Sequence, residues 1–331
     1  MRAAVMEGKR KLVVKDVPEP VLDKDEALIR VQYCGICGSD LHLYLDGFNV
    51  SMGHEFSGDI VKMGPSVEGW EIGDRVIVDL AINCGECYWC KRGRINLCTR
   101  AHAGMTGKEV GAFATYFKAK YDRLLKLSGN VTYKQGALVE PTAIAPHAVN
   151  LSGLKVGDVI AVFGLGPIGQ LVARLAKLSA KAVYATEINQ SRIELARNVV
   201  DEVVNSKLAD PVDRILELTD SVGPDIVFEC AGKVTPAQDS IALTMKGGTI
   251  VIVSTCFDAV ETSFLDIVMK ELSIKGSVGA SVGDFASALN LIKNKKIDVN
   301  PLITDEFPLE DINQAFEKAL KGEGGKILVK P

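Results

Sequence analysis

The chain has 331 residues, of which 47% are hydrophobic and 24% charged, and a formal net charge of −4. That length exceeds the size at which one core stops growing, so two domains of ordinary globular composition are expected. The acidic balance argues against a nucleic-acid binder, no apolar run is long enough to span a bilayer, and Met1 to Glu7 lack a secretory signal core, which points to the cytoplasm.

In chain order, residues 1 to about 145 hold short apolar runs between turn residues, such as Ala27 to Val31 and Asp74 to Val78. These predict a mostly β domain. From about 146 to 280 strands and helices alternate: strand Val159 to Phe163, helix Ile168 to Leu178, strand Ala182 to Ala185, helix Ser191 to Asn198. Two later apolar strands, Asp225 to Phe228 and Thr249 to Val253, complete the pattern of a doubly wound parallel sheet. The tail offers one helix, Glu310 to Leu320, and a last strand, Lys326 to Val329.

Gly164-Leu165-Gly166-Pro167-Ile168-Gly169 directly follows a predicted strand and opens a predicted helix. The first glycine suits a tight turn, the second a close approach to a pyrophosphate, and the third close packing of helix on strand. Glu187 ends the next strand, near the distance expected of a residue that holds ribose hydroxyls. A carboxylate there repels a 2′-phosphate, which favours NAD over NADP. Arg192 works the other way if it faces a phosphate, and is neutral if it packs on the adenine.

Eight cysteines are present, and four of them form Cys84-x2-Cys87-x2-Cys90-x7-Cys98. Such spacing closes a tetrahedral zinc shell in a reducing compartment, a structural site. Lys91, Arg92, Arg94 and Arg100 on the same lobe raise the alternative of a nucleic-acid-binding zinc ribbon. The glycine motif and the acidic charge speak against it. A second constellation, Cys37-Gly38-Ser39-Asp40-Leu41-His42 with Gly53-His54-Glu55, combines a thiolate, an imidazole and a carboxylate that suit a catalytic zinc. Cys34 forms Cys-x-x-Cys with Cys37, but follows a β run and is assigned to packing.

These motifs, with Glu140-Pro141-Thr142, resemble those of the zinc-containing medium-chain dehydrogenases along nearly the whole chain, and most closely the polyol branch of sorbitol and 2,3-butanediol dehydrogenases. The resemblance implies a GroES-like catalytic domain made of 1–145 and 281–331 and a Rossmann coenzyme domain of 146–280, with the active site in the cleft between. It also implies two zinc ions, NAD and a homodimer or homotetramer. The expected reaction interconverts a secondary alcohol and a ketone, with zinc acting on the hydroxyl oxygen. Ser39 would accept the proton, His42 would pass it to solvent through the cofactor ribose, and Asp40 would orient His54 through its free ring nitrogen. L-Threonine 3-dehydrogenase and sugar 1-dehydrogenase are the alternatives.

Sixteen residues separate Cys37 from His54, fewer than in the butanediol and sorbitol relatives, and none is Lys or Arg. Tyr44, Leu45, Phe48 and Met52 are expected as apolar pocket walls, which favours an uncharged diol or polyol. No cysteine is left for a third zinc ligand, so a carboxylate is needed, Glu55 or Glu140. Cys37 and one glutamate neutralise Zn²⁺ and a second would leave the site negative. Glu55 is therefore expected as the standing ligand, with Glu140 holding the metal's water or exchanging with it.

Overall fold

A computed structural model describes residues 1–48, 52–80, 83–100 and 111–331. They form two compact units, one of Met1–Ala143, Ala280–Gly322 and Lys326–Pro331, the other of Ile144–Gly279 and Glu323–Gly325.

The first unit opens with a hairpin of β1 (Arg2–Gly8) and β2 (Lys11–Asp16). There follow β3 (Glu26–Gly35), helix α1 (Gly38–Asp46), β4 (Glu55–Met63), β5 (Arg75–Val78), β6 (Tyr116–Lys120) and β7 (Leu124–Lys126). A short α2 (Tyr133–Ala137), capped reciprocally by Thr132 and Gln135, leads into α3 (Val139–Ser152), in which the first unit gives way to the second.

In the second unit β8 (Val159–Phe163), α4 (Pro167–Ala176), β9 (Ala182–Glu187), α5 (Gln190–Ala196), β10 (Glu202–Asn205) and α6 (Pro211–Leu218) alternate. They are followed by β11 (Ile226–Glu229), α7 (Val234–Leu243), β12 (Thr249–Ile252), α8 (Phe264–Met269) and β13 (Ser273–Gly276). All six strands are parallel in the order β10-β9-β8-β11-β12-β13, the doubly wound order of a dinucleotide-binding sheet. Helices cover the middle strands, so their apolar residues run without alternation: Ile160 to Phe163 and Ile226 to Phe228 are all buried. Fully burying a side chain such as Phe163 or Phe228 contributes about 1.5–3 kcal/mol.

The chain then returns to the first unit through α9 (Val282–Lys293), β14 (Ile303–Pro308), α10 (Ile312–Leu320) and β15 (Lys326–Lys330). β15 slots between β14 and β3, giving the order β14-β15-β3-β4-β5-β7, with β6 also paired to β3. Ile312, Ala315 and Phe316 are buried on one face of α10, where Phe316 meets Tyr44 of α1 at 4.8 Å and Phe113 at 5.6 Å between ring centres.

Several elements lie beyond the sequence expectations. α9 has a Ser281–Asp284 capping box, a legible start signal, but the only helix expected in the tail is the later one. That helix begins at Ile312 after a single turn of 3₁₀ helix, Leu309–Asp311, and not at Glu310. Glu323–Gly325, expected with the catalytic part, belong to the second unit. There the Gly324 N–H donates to Ser191 Oγ at 2.9 Å and its carbonyl accepts from Arg192 Nε at 3.1 Å. Among the described residues no helix is long and apolar enough to cross a membrane.

Candidate active site

In the lobe, Sγ–Sγ distances are 3.5 Å for Cys84–Cys98 and Cys87–Cys90, 3.8 Å for Cys87–Cys98 and 3.9 Å for Cys84–Cys90. A tetrahedron of sulfurs about 2.3 Å from a zinc ion has edges of about 3.8 Å. All eight cysteines of the chain are free thiols. Backbone N–H groups lower two of the lobe's thiols, Glu86 foremost at Cys84 and Cys90 foremost at Cys87. Loss of hydration, with Cys87 and Cys98 alongside, raises Cys90. Thiols packed this closely share their negative charge only around a cation, so the donor set fits a closed zinc shell. The lobe's arginines are engaged locally: Arg92 lies 3.7 Å over the Tyr88 ring, Arg94 5.5 Å over Trp89, and Arg100 pairs with Glu86.

The second group draws on distant segments. Cys37 caps the N-terminus of α1, while His54 and Glu55 lead into β4. One ligand atom each of Cys37, His54 and Glu55 lie within 4.8 Å of one another. Glu55 Oε2 is buried without a hydrogen-bond partner, and a bare buried polar atom in a donor cluster is what a metal satisfies; His54 Nδ1, also bare, faces Asp40. Gly53 makes the bend that lets adjacent residues share the site. Its φ is +89°, and a Cβ there would press within 3 Å of Phe113.

Asp40, fully buried on α1, faces His54 and also holds two backbone groups. Its carboxylate accepts the N–H of Cys37 at 3.0 Å and that of Gly53 at 3.3 Å. Its nearest oxygen to His54 Nδ1 stands at 3.7 Å, beyond hydrogen-bond reach. Asp40 thus ties the two ligand-bearing segments together through their backbones, and reaches His54 by charge alone. Burial works against the His54 imidazolium, but Asp40 and Cys37 outweigh it and raise its pKa well above the ordinary value. Glu140, near the start of α3, is not in the group of three. Desolvation lifts its carboxyl to about 7 against the pull of His54, and Glu55 adds to the rise.

One residue of the site lies outside every sequence motif. Lys326 Nζ donates to Glu55 Oε1 at 2.7 Å and to the Ile36 carbonyl at 3.1 Å, with both charged side chains almost wholly buried. Its one possible signal is a lysine at the start of an otherwise apolar strand.

Ser39 and His42 lie one turn apart on α1, both exposed. The expected pocket wall needs correction. Tyr44 is 1% exposed, packed on Phe316, with its hydroxyl 3.3 Å from Asn313 and 3.2 Å from Glu317, so it is core. Met52 is also buried, whereas Leu45 and Phe48 are exposed. A loop could offer all four to one pocket, but α1 rotates successive residues to different faces, and Tyr44 falls on the inner one. Residues 49–51 of that stretch lie outside the described residues.

At the glycine motif, Gly164 has φ +87° and a Cβ would press on Ala231, while a Cβ on Gly169 would collide with the Gly164 carbonyl. Gly166 caps α4 without a side-chain bond and Pro167 opens the helix, so the first N–H groups, including that of Ile168, point at an anion's place. Glu187 is 7% exposed. Its Oε2 accepts Leu165 N–H at 2.9 Å, and Oε1 accepts Ile188 N–H at 2.7 Å and Asn189 N–H at 3.0 Å. Glu187 therefore clips the end of β9 to the glycine turn, a role the sequence does not suggest, and Oε2 keeps one lone pair. Arg192 Nη1 is 3.9 Å from that oxygen.

Comparison with known proteins matches residues 23–129 to the alcohol dehydrogenase GroES-like domain and 167–294 to the zinc-binding dehydrogenase family. The chain is 34% identical to sorbitol dehydrogenase of Halalkalibacterium halodurans over 98% of this chain and 97% of that one. It is 36% identical to (R,R)-butanediol dehydrogenase of Bacillus subtilis over the full length of both. The crystal structure of 2R,3R-butanediol dehydrogenase from Bacillus subtilis superposes with a TM-score of 0.90 at 34% identity, covering 100% of this chain and 99% of that one. A protein from Sinorhizobium meliloti solved with NADP bound reaches 0.93 at 32% identity, with the same coverage. The chain is an oxidoreductase of the zinc-containing medium-chain dehydrogenase family, in its polyol dehydrogenase branch.

Proposed function

We propose that this enzyme oxidises an uncharged secondary diol or polyol of the sorbitol or 2,3-butanediol kind with NAD, or runs the reverse. The observation that carries this reading is the convergence of Cys37, His54 and Glu55 on one point, in a chain aligned end to end with polyol and butanediol dehydrogenases. The first unit supplies the metal centre and the second binds the coenzyme. Bound zinc supplies a Lewis acid for the substrate hydroxyl. Cys37, His54 and Glu55 would hold it, Asp40 sets the spacing of the segments that bear them, and Glu140 would hold a water beside it or take that water's place. Ser39 takes the hydroxyl proton and His42 hands it to solvent; their exposure on one face of α1 supports that route. Nicotinamide supplies the hydride acceptor.

Glu187, at the end of β9, favours NAD by repelling a 2′-phosphate, with the α4 N-terminus for the pyrophosphate. The second zinc fills the lobe. Among the described residues β13 pairs on one side only and is exposed throughout, and Phe264, Leu265, Val268 and Met269 of the neighbouring α8 are each more than half exposed. An open strand beside an apolar surface supports a homodimer or homotetramer built on this edge. Cys34, Cys230 and Cys256, the cysteines that hold no zinc in this reading, are free thiols, which suits a reducing cytoplasm. The deciding experiment is a panel of diols, polyols, sugars and threonine assayed for NADH and NADPH formation. Activity confined to threonine or to an aldose, or faster turnover with NADP, would replace this reading.

A further inference from the structure

Three strand ends meet beside the mixed cluster. Gly35 near the end of β3 pairs in register with Glu55 at the start of β4 and with Leu328 of β15, which Lys326 opens. The Glu55 carboxylate is left asymmetric. Lys326 holds Oε1, whereas Oε2 is buried and bare. A Cβ on Gly35 would collide with Oε2, so the missing side chain leaves room for this oxygen.

We propose that Lys326 is a positioning residue for the catalytic metal: by engaging Oε1 it keeps Glu55 a one-oxygen ligand, and by its charge it limits the electron density Glu55 gives up. The inference rests on the reading of Glu55 as the standing ligand. A free carboxylate binds a metal through one oxygen or both. A catalytic zinc works with three protein ligands and one open position, which a second Glu55 oxygen would fill. Turning Oε1 towards the metal would forfeit a charge-assisted hydrogen bond to an ammonium that is itself 4% exposed. The pair also changes the charge balance. With Glu140 ionised, Cys37, Glu55 and Glu140 carry three negative charges, matched by Zn²⁺ and Lys326. Asp40 adds a further negative charge outside this set, held by the backbone N–H groups of Cys37 and Gly53. The lysine therefore offsets the charge that a second glutamate brings beside the metal.

The test replaces the catalytic zinc with Co²⁺ in the full-length protein, leaving the lobe zinc in place, and reads visible absorption and cobalt release to a chelator. Lys326→Met is expected to lower the absorption about twofold or more as coordination rises above four. Release should slow by about tenfold or more, because the metal gains an oxygen and loses a neighbouring cation, and kcat should fall about 10–100-fold with little change in KM. Lys326→Arg, which keeps the charge and the donor, should return all three towards wild type. Unchanged absorption in Lys326→Met, or faster cobalt release as a merely structural pair would give, overturns the proposal. Should that variant fail to fold, Lys326→Gln decides: it keeps an N–H for Oε1 without the charge, so absorption should hold while release slows, and faster release overturns the proposal. Glu55→Ala separates the two layers. If it leaves the cobalt spectrum untouched, Glu55 is not the ligand and both readings fall. If it alters the spectrum while Lys326→Met does not, only the role of Lys326 fails.

Discussion

The four sulfurs of the lobe come from one stretch, residues 84–98, whereas Cys37, His54, Glu55 and Lys326 come from a helix cap and strand ends that span most of the chain. The lobe has one kind of donor, no further charged side chain among its ligands, and four sulfur spacings close to the edge of a zinc-centred tetrahedron. The mixed cluster has three kinds of donor, two bare polar atoms and three more ionisable groups pressing on it, Asp40, Glu140 and Lys326. A site that only has to hold a metal closes its shell locally. One that has to use the metal leaves a position open and controls the charge around it from outside the shell.

The contrast is sharpest in Cys37→Ala. Activity should fall by a thousandfold or more, on the order of several kcal/mol of lost Lewis-acid assistance. Zinc analysis should find one ion per chain in place of two, with the melting curve nearly unchanged. One zinc per active wild-type chain would dissolve the comparison altogether. Cys98→Ser should show the opposite profile: one zinc lost and the melting temperature lowered by roughly 5–10 °C, because a structural ion contributes folding free energy directly. Residual activity per correctly folded chain should stay within about threefold of wild type, and a selective loss of turnover with an unchanged melt would place the lobe in catalysis.

Glu187→Ala is expected to act on the coenzyme and on neither metal. It removes the acceptor of three backbone N–H groups, so KM for NAD should rise about tenfold while the preference over NADP narrows. Steady-state kinetics with both coenzymes would show it, and a sharpened preference for NAD would contradict the assignment. The smallest effect belongs to Tyr44→Phe. Its single O–H donates between Asn313 Oδ1 and Glu317 Oε1 inside the first unit, so stability should drop by about 1 kcal/mol with substrate KM unchanged. A shift in KM would return Tyr44 to the pocket wall.

Local chemistry is legible in the order of residues alone. Cysteine spacing encodes the lobe because its ligands sit within one short loop, and the order strand, Gly-x-Gly-x-x-Gly, helix, acid encodes the coenzyme turn because its parts follow one another along a βαβ unit. Uninterrupted apolar runs such as Val159 to Phe163 mark central parallel strands, while β10, β13 and β14 carry no such mark, being short, edge-lying or interrupted by polar residues. Tyr44 reads as a pocket wall because its stretch has too weak a period to announce a helix.

The sequence by itself determined which residues can bind metal and coenzyme, since thiolates, imidazole and close-set glycines are properties of residue type and spacing. The tertiary structure decided how those residues are held and charged. Glu187 became a backbone clip, Asp40 a tie between two segments, and Lys326 the partner of Glu55. Each of these depends on strand ends or helix caps brought together across tens to hundreds of residues. No local pattern encodes such a meeting, because hydrogen bonds and ion pairs act over a few ångströms of space whatever the distance along the chain.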